Sequence, residues 1–394
     1  MFDLIAVQAA IADLGLDGWL LYDFRGSNVL ARRVADIADD AHLSRRWFYY
    51  IPAKGEPKKL VHKIEPGTLD HLPGPSQLYL RWQELEWGVT SMLVGSRKVA
   101  MEYVARNANP YVSRVDAGTV ELVRSCGVDV VPSGDLIQLF EACWSPEQWQ
   151  SHKDASVLTR KAFDVAFDFI GEKIRTEGQV METAVQARIL EFFEESGMVT
   201  DGGPIVGRGP HSGDPHFAPS TDHDLPIRKG DFVLVDLWAK MDRPMSVYSD
   251  LTRTAFVGDI VPAEYTKIFD IVAAARDAGI ACVKEAFAAG RSIQGWEVDR
   301  ATRDVIERAR YGEFFFHRTG HSIGQETHGN GANMDNLETR EERRILPRTC
   351  FSIEPGIYLA EFGVRSEVDV YVDENGGVHV TGGDPQTEIH RIRV

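Results

Sequence analysis

The stretch FVLVDLWAKMDRPMSVYSDLTRTAFV, residues 232–257, reads as two strand-like apolar runs joined by a polar turn, and each run carries an acid. Asp236 interrupts FVLVDLWA, whose other members suit the interior of a sheet. An ionised carboxylate buried without a partner is very costly, so Asp236 needs a metal, an arginine or a dense set of donors. Fourteen positions on, Asp250 sits in SDLTRT just ahead of the second run.

The same anomaly recurs towards the C-terminus, with Glu354 inside FSIEPGIY and, thirteen positions later, Glu367 inside GVRSEVDVYV. With 59 acids in the chain, any one alone reads as a solvent-facing strand residue. One device, however, neutralises all four: two divalent cations match the charge of four carboxylates. A nitrogen ligand is available in HRTGHSIGQETH, residues 317–328, which holds three of the chain's twelve histidines. His317 and His321 are four apart, as on one helical face, yet the helical zinc motif needs a Glu directly after its first His. Here Arg318 and Thr319 follow, and Gly320 acts against a helix interior. His321 would therefore join the carboxylates singly. An oxygen-rich set with one imidazole suits Mn²⁺, Fe²⁺, Co²⁺ or Zn²⁺, and the carboxylate count favours Mn²⁺.

Around this core the chain has 394 residues, too many for one ordinary hydrophobic core, and a hydrophobic content of 43% that can build two or three. A net charge of −16 with no basic stripe excludes nucleic acid and anionic membrane surfaces as expected partners; the Arg32-Arg33, Arg45-Arg46, Lys58-Lys59 and Arg343-Arg344 pairs are scattered. Asp3 stands where a signal peptide would be basic, and no apolar run reaches the length of a membrane span, so a cytoplasmic location is expected. Cys126, Cys143, Cys282 and Cys350 form no C-x-x-C pair and read as reduced core residues.

The first part alternates strand and helix signals: a strand at 17–24, a hairpin over 46–64 with Gly55 and Pro57 in its turn, and a helical segment between KVAMEYV and VDVVPS. It has no G-x-G-x-x-G loop and no P-loop. SPEQ at 145–148 offers a Ser N-cap, Pro at the first helical position and Gln at the third, which starts a long helix to about Arg175. Val157, Ala162, Ala166, Phe169 and Ile170 are its expected core residues. A second domain is expected to begin there, giving 1–144 as a small α/β domain and 145–394 as an α+β domain. In the latter, helices are predicted near 180–196, 263–287 and 297–310, with a loop-rich stretch at 201–217.

VDL, SDLTRT, HRTGHSIG, SIEPGIY and GVRSEVDV stand in the order and general spacing of the pita-bread metallopeptidases, and the last 250 residues or so resemble that family. The first 140 look like the creatinase-type N-terminal domain that precedes the catalytic domain in aminopeptidase P and prolidase. The resemblance implies an α+β pita-bread catalytic domain that hydrolyses Xaa-Pro peptides with two divalent metals, in a homodimer. It implies that Asp236 chelates the first metal, that Asp250 and Glu367 bridge both, and that His321 and Glu354 complete the second. Glu354 resembles the family's proton shuttle, His216 a loop His that contacts substrate, and His317 and His328 two flanking histidines that serve substrate and proton handling. Arg365 would orient Glu367 or a substrate carboxylate. An Xaa-Pro dipeptidase is the expected activity, with aminopeptidase P activity on longer peptides as the alternative. A pita-bread lyase or amidinohydrolase-like enzyme acting on a small non-peptide substrate is the alternative of another class. The chain departs from the family pattern in a longer link between Asp236 and Asp250, in Trp238 where a small Gly is usual, and in Gly329-Asn330-Gly331 after His328.

Overall fold

The computed structural model describes residues 2–38 and 40–394 and divides into two compact units, Met1–Glu141 and Ala142–Val394. Among the described residues, no helix is long and apolar enough to cross a membrane.

The first unit is a six-stranded sheet between two helical layers. Its strands are β1 (Gly18–Asp23), β2 (Trp47–Pro52), β3 (Lys58–His62), β4 (Ser76–Tyr79), β5 (Lys98–Met101) and β6 (Asp129–Pro132), in the order β4-β3-β2-β1-β5-β6. β2 runs antiparallel to both neighbours, and the remaining pairs are parallel. Strand side chains alternate between faces. Trp19, Leu21, Trp47 and Tyr49 meet α1 (Leu4–Asp13), α2 (Val29–Val34) and α5 (Gly134–Glu141) on one side. Leu20, Tyr22, Phe48 and Tyr50 meet α3 (Trp82–Leu93) and α4 (Ala117–Ser125) on the other. The expected 46–64 hairpin is β2 and β3, with Gly55 in its turn at a φ of 104° that favours glycine.

The second unit opens with α6 (Pro146–Glu177). Ser145 accepts a hydrogen bond from the Gln148 amide and Gln148 accepts one from the Ser145 amide, so the helix starts in a capping box; Gly178 ends it in the left-handed region. Its core face is Ala155, Ala162, Phe163, Ala166, Phe167 and Ile170. Val157 is a correction to the expected set: it is 68% exposed, because five residues separate it from Ala162 and turn it about 140° away from that face. Phe169 is only partly buried.

β7 (Val180–Met181), α7 (Glu182–Glu195), β8 (Met198–Val199), β9 (Ile205–Arg208) and β10 (Pro226–Ile227) follow, so the stretch read as loop-rich contains a strand. The opening stretch forms β11 (Phe232–Met241) and β12 (Ser249–Val257), paired antiparallel so that Asp236 faces Thr252 and Trp238 faces Asp250. Alternation now sorts the residues. Val233, Val235, Leu237, Leu251 and Ala255 pack on α6 and α7, which leaves Asp236, Trp238, Asp250 and Thr252 on the opposite face.

α8 (Ala263–Ala288) and α9 (Gly295–Arg308) form a second helical pair. They cover β14 (Cys350–Ile353), β15 (Gly356–Tyr358), β16 (Gly363–Arg365), β17 (Val368–Val372) and β18 (Val378–Thr381); β13 (Ser322–Ile323) pairs with β14, and β19 (His390–Ile392) runs beside β12. FSIEPGIY and GVRSEVDVYV each divide into two strands. β14 pairs with β17 in one sheet, β15 pairs with β16 in another, and Glu354 and Glu367 occupy the two breaks between them. Pro355, which has no amide hydrogen, helps interrupt the first ladder.

Candidate metal centre

Three of the expected ligands converge. Asp250, His321 and Glu367, all buried, offer ligand atoms within 4.8 Å of one another. Glu354 lies beside them, with Oε1 at 3.4 Å from His321 Nε2, whose distance to Asp250 Oδ2 is 3.5 Å. Asp236 on β11 shares the sheet face of Asp250, but its Oδ2 is engaged by Arg365 Nη2 at 2.5 Å, and its Oδ1 is buried without a partner among the described residues.

The site fits cations on the chemistry of its donors. His321 Nδ1 lies 3.2 Å from the Ser322 carbonyl oxygen, to which it can only donate. Burial holds the ring's pKa down, so in the neutral ring Nε2 carries a bare lone pair that faces two carboxylates. Burial first, and then repulsion from Asp236 and Glu354, hold Asp250 and Glu367 well above the usual carboxylate range, and Asp250 adds to the shift of Glu367. Burial also raises Asp236, although Arg365 opposes it. For Glu354, burial is outweighed by His321, His317, Arg365 and Arg318, and its pKa falls below the ordinary value. Lone pairs crowded at these distances, together with the orphaned Asp236 oxygen, are what divalent cations would satisfy.

Local backbone explains how His321 arrives there. Gly320 bridges Met334, and a Cβ on it would sit 1.9 Å from the Ser352 carbonyl oxygen, so only glycine lets the chain approach β14 this closely. Ser352 Oγ then accepts from the His321 amide at 2.9 Å and donates to Glu354 Oε1 at 3.1 Å, which fixes both ligands from one hydroxyl.

Of the other predicted residues, His317 is half-buried and has both ring nitrogens engaged. Nδ1 donates to the Arg318 carbonyl and Nε2 accepts from the Tyr358 hydroxyl, each at 2.7 Å. Burial pushes its pKa down to about 4. His328 packs edge-on against His321, with ring centroids 4.3 Å apart. His216 is exposed and its ring makes no hydrogen bond among the described residues; its neighbour Pro215 accepts one from Arg365 at 3.3 Å. Arg365 makes no direct hydrogen bond to Glu367 among the described residues. Its guanidinium binds Asp236, the Thr252 hydroxyl at 3.0 Å and the Tyr358 hydroxyl at 3.0 Å. Glu367 is reached indirectly, because Thr252 Oγ1 donates to Glu367 Oε2 at 2.7 Å.

Sequence reasoning missed several supports. Asp369 accepts from the Asp250 amide and the Ser249 hydroxyl, both at 3.0 Å, and so holds the backbone of one ligand. It is an acid inside EVDVYV, the same signal that singled out Asp236. Asp299 and Arg303 on α9 clamp the segment before His321: Asp299 accepts from Thr319, and Arg303 donates to the Phe315 and His317 carbonyl oxygens. Thr252, Tyr358 and these α9 residues carry no comparable signal.

The profile of "Metallopeptidase family M24" matches residues 150–374. The chain is 27% identical over 386 residues to "Probable dipeptidase PepE" of Mycobacterium tuberculosis, a match covering 96% of this chain and 93% of that one. It is 29% identical over 251 residues to "Xaa-Pro dipeptidase" of Lactobacillus helveticus, covering 63% of this chain and 62% of the other. Its fold resembles the crystal structure of dipeptidase PepE from Mycobacterium ulcerans, with a TM-score of 0.66 at 24% identity and coverage of 99% and 97%. The chain belongs to metallopeptidase family M24 and has its pita-bread fold behind an N-terminal α/β unit. It is a metal-dependent peptidase.

Proposed function

We propose that this peptidase is an Xaa-Pro dipeptidase that cleaves the bond before a C-terminal proline, with two divalent cations, Mn²⁺ favoured, held by Asp236, Asp250, His321, Glu354 and Glu367. The observation that carries the reading is the buried set of mutually repelling carboxylates around the His321 Nε2 lone pair, with Asp236 Oδ1 left over. The names of the relatives from L. helveticus and M. tuberculosis support the substrate class.

Bound there, the cations would polarise the peptide carbonyl and lower the pKa of an attacking water. Glu354, whose Oε1 lies 3.4 Å from His321 Nε2, would take a proton from that water and pass it to the proline nitrogen. That nitrogen carries no hydrogen in the peptide and must gain one to leave as an amine. Arg365 acts by position: it holds Asp236, and through Thr252 and Tyr358 it fixes Glu367 and the His317 ring. His328 borders the cleft beside His321.

The test combines metal analysis with hydrolysis of alanyl-proline and of an Xaa-Pro tetrapeptide. The expected result is divalent metal in the wild type, faster turnover of the dipeptide, and loss of both metal and turnover in Asp250→Ala. Preference for the tetrapeptide would instead assign aminopeptidase P activity, and unchanged turnover in Asp250→Ala would sink the two-metal account.

A further inference from the structure

Beside the ligand set stands an acid that the chemistry above does not use. Asp201 follows β8 and is exposed, yet its carboxylate is held by two donors. Trp238 Nε1 donates to Oδ1 at 2.7 Å, and the Thr327 hydroxyl reaches both oxygens at 3.1 Å. These donors belong to the site. Trp238 is paired with Asp250 across the β11–β12 ladder and lies two residues beyond Asp236 on the same face. Thr327 directly precedes His328. The charge of Asp201 bears on Asp250 and on His328.

The wall is built rather than incidental. The indole lies against Gly202 so closely that a Cβ there would meet Trp238 Cζ2 at 2.7 Å, and it also packs with Ile205, Phe217 and Leu234. Asp201 acts on Asp250 as one negative charge on another, and the two groups that hydrogen-bond its carboxylate, the Trp238 indole and the Thr327 hydroxyl, are neutral. Two donors orient it and leave acceptor capacity free, since a carboxylate has about four lone-pair directions.

We propose that Asp201, oriented by Trp238 and Thr327, binds the free α-ammonium of the substrate, with the Trp238 indole closing that end of the cleft. This rests on the dipeptidase reading and deepens it. A dipeptide with a neutral first residue carries one cationic group, its ammonium, and a fixed acid at the cleft wall selects for it. Enclosure by Trp238 then favours an amino-terminal residue with nothing preceding it.

The experiment compares alanyl-proline with N-propionyl-proline, the same molecule without its ammonium, on metal-loaded wild type and Asp201→Asn. The quantity read is the KM for the first against the KM or inhibition constant for the second. The expected result is that the advantage of alanyl-proline shrinks by about ten- to a hundred-fold in the variant, the range of one hydrogen-bonded charge pair, at equal metal content. Trp238→Phe, which keeps the wall but removes the donor, shifts the ratio the same way by less, and serves if Asp201→Asn folds poorly. Equal shifts for both compounds, or loss of metal on Asp201→Asn, would overturn the inference. If the wild type hydrolyses neither compound, the dipeptidase reading falls on its own; the same pair, now stable, is compared by calorimetry, and a preference for the ammonium that depends on Asp201 sustains the proposal while its absence ends it.

Discussion

Thr252→Val is the substitution that most directly probes how the ligands are held. Valine keeps the shape, the β-branching and the strand preference of threonine and removes one hydroxyl. That hydroxyl is buried, accepts from Arg365 Nε at 3.0 Å and donates to Glu367 Oε2 at 2.7 Å, so both neighbours lose a partner at once. Hydrogen bonds to ionic groups contribute about 1.5–3 kcal/mol each. Against two such losses stand about 1 kcal/mol gained from the apolar methyl and the contacts Arg365 retains to Asp236 and Tyr358. The net cost is about 3 kcal/mol in the metal-free protein, which for a domain of this size lowers Tm by roughly 6–12 °C. Glu367 is also freed to turn, so metal affinity falls by about 10–100-fold, as for other groups that orient a ligand. Calorimetric melting after chelation, followed by metal titration with peptide hydrolysis as readout, measures both. Thr252→Ser, which keeps the hydroxyl, is expected to stay near wild type. A Thr252→Val protein that melts and loads metal like the wild type would refute the relay from Arg365 to Glu367.

Two further outcomes follow from geometry away from the ligands. Ser145→Ala removes the acceptor of the Gln148 amide at the start of α6 and is expected to cost about 1 kcal/mol in denaturant unfolding, with hydrolysis by the folded enzyme unchanged. His152 is buried, donates from Nδ1 to the Tyr248 carbonyl and accepts at Nε2 from Thr381, and burial pushes its pKa from 6.5 down to about 4. Its folded pKa is depressed, so the unfolded chain binds the proton more readily, and the stability His152 contributes above pH 6.5 is lost as pH falls towards 4. Over that window the wild type should lose about 3 kcal/mol more than His152→Gln; parallel stability curves from pH 7 to pH 4 would contradict it.

What could be read in advance was what breaks a local rule. An acid in FVLVDLWA or FSIEPGIY contradicts its apolar neighbours, and the SPEQ cap contradicts nothing but has few other uses, so Asp236, Glu354 and the start of α6 stood out. Asp369 follows the same logic in EVDVYV, but with Glu367 two residues earlier the pattern alone does not say which of the two acids faces the site. Val157 is apolar like the core residues of α6 but points elsewhere, because its angle around the helix, and not its hydrophobicity, decides its exposure. Thr252 and Tyr358 were illegible for a different reason: a hydroxyl is at home in strands, and only the three-dimensional neighbours show that these two link Arg365 to Glu367 and His317. The splitting of GVRSEVDVYV into β16 and β17 was likewise invisible, since an alternating pattern does not record which ladder each half joins.

That split has a mechanical consequence. Glu354 and Glu367 sit where two neighbouring chain segments change ladders together, β14 to β15 and β16 to β17. Their separation is thus tied to the seam between two sheets and responds to sliding of one ladder past the other, whereas the loops bearing Asp201 and His328 can vary in length without disturbing that spacing. If Asp201 selects the substrate as proposed, selectivity and the spacing of the two glutamates lie in separate parts of the chain, and the first can change while the second is kept.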